Sequence, residues 1–201
     1  VILPLRWEKI GLHWEEAIAM TVILAKWTID EYHRMIEAGI LCDRQVELLQ
    51  GDIVEMSPER EAHAYCSHEA GEYLVKLLGD RAKIRQAKPI TLPNDSEPEP
   101  DIAIVQRLGR EYRQHHPYPN NIFWVIEYAN SSLEKDLETK SKIYAQAGIL
   151  EYWVVNLKKL NLVVFRDILD GEYATKQTLT TGNIQPLAFP DIFVSVERII
   201  N

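Results

Sequence analysis

Two short runs of consecutive apolar residues, Ile102-Ala103-Ile104-Val105 and Ile122-Phe123-Trp124-Val125-Ile126, constrain this chain more than any other feature. A strand with one face in water alternates apolar and polar side chains, so unbroken runs of this length suit strands covered on both faces. The sequence also supplies helices. Thr28 with Glu31 reads as a capping box that opens a helix running to about Ala38, where Gly39 stops it. Glu61 to Leu78 carries apolar residues at helical spacing (Ala62, Cys66, Ala70, Tyr73, Leu74, Leu77, Leu78) and ends at Gly79. Ser131 with Glu134 reads as a second capping box, opening a helix that runs to Ala147 before Gly148.

Between these helices the strand signals are clear. Val46 to Leu49 and Ile53 to Met56 flank Gln50-Gly51-Asp52 as a hairpin, and Lys83 to Leu92 alternates as a strand. Pro93, Asn94, Pro98 and Pro100 enforce an irregular turn, whereas Gln106 to Asn121 is a polar, proline-containing loop. Glu151–Asn156, Leu160–Arg166 and Glu172–Leu179 complete the pattern as a meander. The fold class expected is α/β, in one domain.

A chain of 201 residues suffices for one well-buried core. Residues 1–19 have no clear place in the pattern, and Met20-Thr21 resembles the start of a chain, so residues 1–26 are read as an N-terminal extension and 27–201 as the domain. The apolar stretch from Ala17 to Ala25 is too short for a membrane span, and a cytoplasmic location is expected. Cys42 and Cys66 lack CxxC spacing, which suggests neither a disulfide framework nor a cysteine zinc site. A net charge of -8 argues against a simple electrostatic DNA binder. An enzyme that gathers carboxylates around a cation can nevertheless be acidic overall and attract phosphate through the ion. Lys83, Arg85 and Lys88 form only a small basic patch.

Three positions break the apolar pattern. At about 100° per residue, Leu133, Leu137, Tyr144 and Ala147 fall within roughly 60° of Lys140, which puts an ammonium in the middle of an apolar helix face. Lys135 and Lys142 project from the opposite side. Snorkelling, or an ion pair with Asp136, would account for Lys140 without function. Glu127 ends an apolar strand, where a carboxylate is costly unless a cation compensates it or the strand has reached solvent. Asp101 enters a strand directly after Glu97-Pro98-Glu99-Pro100, as a turn aspartate would. Two carboxylates and a lysine would meet if the strands at 101 and 122 pair and the following helix packs on them. That set suits phosphodiester hydrolysis, in which carboxylates fix a divalent ion and a cation faces the phosphate.

The succession Pro100-Asp101, Glu127, Lys140 resembles the PD-(D/E)XK nuclease superfamily, in a variant whose lysine has moved from the strand to the following helix; Ala129 occupies the usual third position. More specifically, Trp27-Thr28-Ile29-Asp30-Glu31-Tyr32, Glu47-Leu48-Leu49-Gln50-Gly51, Met56-Ser57-Pro58, Glu99-Pro100-Asp101-Ile102 and Glu127 with Ser131 resemble the bacterial Uma-two family of restriction-endonuclease-like proteins. Asp136, Lys140, Tyr144 and Gly148-Ile149-Leu150-Glu151-Tyr152-Trp153-Val154-Val155 continue the likeness, which covers about residues 27–166.

The resemblance implies a restriction-endonuclease-like core, a mixed β-sheet flanked by helices, and cleavage of nucleic acid, DNA above all, with Mg²⁺ or Mn²⁺. By it Asp101, Glu127 and the Tyr128 carbonyl would ligate the ion, Lys140 would be catalytic, and Glu47 would complete the acidic cluster. His63 falls at a position that often bears histidine in the family and is given no role. A homodimer is expected if both strands of a duplex are cut. The alternative is an inactive nuclease-like domain that binds nucleic acid or protein. A zinc hydrolase built on His63, Cys66, His68 and Glu69 is disfavoured, because two histidines five apart do not share a helix face. Lys140→Ala is expected to abolish activity with the fold largely intact.

Overall fold

The computed structural model describes residues 24–201. Residues 1–19, Met20-Thr21 and most of the expected extension lie outside the described residues. Helix α1 (Ile29–Glu37) starts at the expected box: Glu31 N–H donates to Thr28 Oγ1 at 3.3 Å, and Thr28 N–H donates to Glu31 Oε2 at 3.0 Å. Strands β1 (Val46–Leu49) and β2 (Asp52–Glu55) form the hairpin. Its two-residue turn has Gln50 at φ 49° and Gly51 at φ 77°, the left-handed pair that matches strand twist. A Cβ on Gly51 would lie 2.8 Å from Lys26 Cβ, so the incoming chain also requires glycine there.

Helix α2 (Glu61–Leu78) has the expected bounds. Strand β3 (Lys83–Gln86) is shorter than the expected Lys83–Leu92. Ala87 turns into the left-handed region at φ 45° and its N–H donates to the Asp101 carbonyl, which takes the chain out of the ladder. Ile90 and Leu92 are buried nonetheless, in the core cluster that holds Ala103, Val105 and Val125 of the sheet. The expected loop at 106–121 contains short 3₁₀ turns at Gly109–Arg113 and Pro119–Asn121.

Strands β4 (Ile102–Val105), β5 (Ile122–Ala129), β6 (Tyr152–Asn156), β7 (Asn161–Leu169) and β8 (Glu172–Leu179) join β3 in a six-stranded sheet ordered β3-β4-β5-β6-β7-β8. Only β5 and β6 pair in parallel. That parallel pair needs a crossover, which is supplied by a π-helical stretch, Lys135–Lys140, continuing into α3 (Ser141–Gln146). The C-terminal chain adds a small ladder of β9 (Asn183–Ile184) with β10 (Val194–Ser195), then α4 (Val196–Ile200).

Alternation along the strands sorts the core into two layers. Ile102, Ile104, Trp124, Ile126, Trp153 and Val155 face α2 and α4. Ala103, Val105, Val125, Tyr152, Val154 and Val163 face the crossover helix. The mixed sheet is therefore covered on both sides, as the apolar runs require, and this is the expected α/β class. None of the described helices is long and apolar enough to cross a membrane.

Candidate active site

The antiparallel register of β4 and β5 brings the first two site residues together. Ile102 pairs with Ile126 and Ala103 with Val125, so the next step sets Asp101 opposite Glu127. Both lie on the parity of Ala103 and Val125, the face covered by the crossover helix. The prolines at 98 and 100 end regular pairing just before Asp101, and its carboxylate is free to bond sideways. Asp101 Oδ2 accepts from the Tyr128 N–H at 2.6 Å and meets His63 Nε2 at 3.1 Å.

Glu127 has not reached solvent; it is 4% exposed. Its Oε1 accepts from Lys140 Nζ at 2.8 Å and from the Tyr144 hydroxyl at 2.8 Å. Lys140 is also buried and does not snorkel. Its second partner is Glu47 Oε2 at 3.1 Å, and the Asp136 carboxylate bonds Ser132 Oγ instead. Glu47, 1% exposed on β1, takes Lys135 on its other oxygen at 3.0 Å. The hairpin thus packs a carboxylate against the end of the sheet, bridging two ammonium groups.

Helix type explains one departure from the sequence expectation. With α geometry, five residues advance the face by about 140°, which would put Lys135 opposite Lys140. A π-helix bonds i to i+5, so residues five apart return to one face, and Lys135 lines the same cleft as Lys140. Lys142 is exposed, as expected, and pairs with Glu172. Ser131 makes no cap with Glu134. Ser132 takes that place: its carbonyl accepts from the Asp136 N–H at 3.0 Å and its hydroxyl bonds the Asp136 carboxylate at 2.6 Å.

The cleft, about 100 Å³, is lined by Glu47, Glu99, Asp101, Glu127, Asp136 and Lys140, among others. Carboxylates outnumber cations in it, and the electrostatics follow. Burial pushes the Glu127 carboxyl well above the ordinary range; Lys140 opposes this, while Asp101, Asp136 and Glu47 add to it. Burial would lower the Lys140 ammonium, but Glu127, Glu47 and Asp136 outweigh it and hold Lys140 above its usual value. Burial raises Glu47, yet Lys140 and Lys135 bring it below the usual range. Burial likewise raises Asp136 and Glu99.

His63 and Glu59 are the members of this site that the sequence did not assign. Glu59, His63 and Asp101 form the one group of potential metal-ligand side chains found among the described residues, with ligand atoms within 4.8 Å of one another. It shares only His63 with the set His63, Cys66, His68 and Glu69. His63 Nδ1 is buried without a hydrogen-bond partner, 3.9 Å from Glu59. The spacing of Glu59 four residues before His63, at the mouth of a helix, was the available signal. Nothing local points from His63 to Asp101.

Glu59, His63 and Asp101 offer two carboxylate oxygens and one imidazole nitrogen, a donor set able to hold a divalent cation. Glu127 is not a member of that group, but it lines the same cleft, and no hydrogen bond among the described residues falls on its Oε2. Tyr128 lines the cleft and its N–H bonds Asp101, whereas its hydroxyl points into the other core layer and donates to the Ile199 carbonyl at 2.8 Å. The basic patch is weaker than its composition suggests: Arg85 is half-buried, bonded to the Pro89 carbonyl and stacked over Tyr112.

The family model of Uma2, described as "Putative restriction endonuclease", matches residues 29–197. Among solved structures, the chain is similar to the crystal structure of a "putative nuclease belonging to DUF820" from Anabaena variabilis. That likeness has a TM-score of 0.68 at 16% identity, over 86% of this chain and 97% of the other, and it concerns the fold. No curated protein matches the chain.

Proposed function

The chain belongs to the Uma2 family, and from that membership we propose that it is a divalent-metal-dependent nuclease that hydrolyses phosphodiester bonds in DNA. The observation that carries the proposal is the convergence of Asp101 and Glu127, opposed across β4 and β5, with Lys140 from the crossover helix in one cleft.

In this reading Asp101, Glu127 and the Tyr128 carbonyl hold Mg²⁺ or Mn²⁺. When bound, such an ion offsets charge on the phosphate and lowers the pKa of a coordinated water. The remaining roles belong to the chain. Lys140, kept protonated by its buried carboxylate neighbours, acts as a fixed positive charge towards the phosphate rather than as a base. Glu47 positions that ammonium through a second ion pair beside the one with Glu127. His63 and the Tyr128 N–H orient Asp101, the part outer-shell partners play around metal-binding carboxylates. Cutting both strands of a duplex with one cleft per chain would call for two chains about a two-fold axis.

One observation favours a second reading, an inactive nuclease-like domain that binds nucleic acid or protein: Glu127 Oε1 is already satisfied by Lys140 and Tyr144. Cleavage of single- and double-stranded DNA, with Mg²⁺ and with a chelator, separates the two. The nuclease reading expects Mg²⁺-dependent products from the wild type and none from Glu127→Gln. Binding of DNA without cleavage under any metal condition would establish the inactive module.

A further inference from the structure

We infer that Lys135, carried into the cleft by the π-helical stretch, is the residue that contacts the DNA phosphate backbone. The inference rests on the proposal that this cleft receives nucleic acid, and it adds a substrate contact to the ion and the lysine already placed there.

The cleft presents a phosphodiester with an electrostatic problem. Its walls carry Glu47, Glu99, Asp101, Glu127 and Asp136, which repel an anion. Lys140 cannot be the first cation a backbone meets. Its side chain is 4% exposed, and its ammonium already donates to Glu127 Oε1 and lies 3.1 Å from Glu47 Oε2 in a second ion pair. Lys135 is differently placed. Its side chain is 32% exposed and spends one bond, on Glu47 Oε1 at 3.0 Å. An ammonium has three donors, so two remain for phosphate oxygens. Arg60 also lines the cleft, but it is exposed and makes no capping bond, so nothing holds it towards the site.

The fixed position of Lys135 follows from two features. The i→i+5 bonding of residues 135–140 returns Lys135 to the face of Lys140. Glu47, rigid on a buried strand, then takes one lysine on each oxygen. An outer cation that meets the backbone is thereby coupled through one carboxylate to the inner cation at the metal-binding residues. Such a contact strengthens ground-state binding and leaves a salt signature, because each neutralised phosphate releases condensed counterions.

The test is the salt dependence of binding of a short fluorescein-labelled DNA duplex by the full chain, read by anisotropy with Ca²⁺ replacing Mg²⁺. Removing one phosphate contact lowers the slope of log K against log salt by about 0.9. Over a roughly fourfold rise in salt, the wild-type advantage over Lys135→Ala should then shrink by roughly 3.5-fold. Lys135→Gln, which keeps a donor for Glu47 but no charge, should show the same shallower slope. Lys135→Arg should restore it, and Lys142→Ala, on the exposed face, should match the wild type. Wild-type binding with an unchanged slope in both Lys135→Ala and Lys135→Gln overturns the inference alone. A wild type that shows no salt-dependent DNA binding overturns it together with the nuclease reading.

Discussion

Replacing Lys140 by Met removes the one ammonium shared by two buried carboxylates, Glu127 at 2.8 Å and Glu47 at 3.1 Å. Breaking a buried pair by deleting one partner costs about 3 to 5 kcal/mol, since the other charge stays buried and uncompensated. Two features place this case at the lower end. Lys135 remains on Glu47 and Tyr144 on Glu127, and Glu127, already raised by burial, can take up a proton. A loss of about 3 kcal/mol corresponds to a fall in thermal midpoint of about 6 to 12 °C for a chain of this length. The expectation from sequence alone, that removing Lys140 leaves the fold largely intact, is revised accordingly.

Acid should close that gap. Glu47 has a folded value below its ordinary 4.5, so its stabilisation is present above that value and lost as pH falls through the lower, folded one. Lys140→Met removes one of the two cations that lower Glu47, so the two proteins should differ most near neutral pH and draw together as pH falls below about 4.5. Adding Glu127→Gln to Lys140→Met should recover part of the loss, because the pair is removed from both sides. Melting curves followed by circular dichroism across pH provide the measurement. A Lys140→Met protein as stable as the wild type, or a deficit unchanged by acid, would refute the reasoning.

Further outcomes follow from the same geometry. Mg²⁺ at about 100 times its Kd should stabilise the wild type by about 2.7 kcal/mol, with little effect on Glu127→Gln, and titrated melting curves will show it. His63→Gln should leave Asp101 less firmly oriented and reduce both cleavage rate and Mg²⁺ affinity by about 10- to 100-fold, measured by steady-state kinetics and calorimetry. Glu151 is fully buried and accepts bonds from Trp153 Nε1, Arg166 and the Leu187 N–H. Glu151→Ala should therefore destabilise by about 3 kcal/mol or more in urea titration, while the folded protein cleaves at the wild-type rate.

Features written into neighbouring residues were legible in the sequence. The apolar runs at 102–105 and 122–126 identified strands buried on both faces, and Thr28 with Glu31 and Leu78 with Gly79 marked helix ends. Asp101, Glu127 and Lys140 stood out because each places charge where apolar residues are expected, and all three line one cleft. What escaped depends on long-range or backbone choices that leave little local trace. A π-helix uses the same side chains as an α-helix and differs in hydrogen-bond register, so Lys135 was assigned to the wrong face. Ser131 and Ser132 are adjacent and chemically equivalent, and packing of Asp136 decided between them. The truncation of β3 turns on the φ of Ala87, and His63 gains meaning only from Asp101, 38 positions away.

The position of a bound ion tests the account most directly. Anomalous diffraction from a crystal grown with Mn²⁺ should show a peak coordinated by the Asp101 and Glu127 carboxylates, with the Tyr128 carbonyl beside it and Lys140 still on Glu47. A peak held by Glu59, His63 and Asp101 while Glu127 stays bonded to Lys140 and Tyr144, or no peak in the cleft at all, would contradict the proposed metal centre.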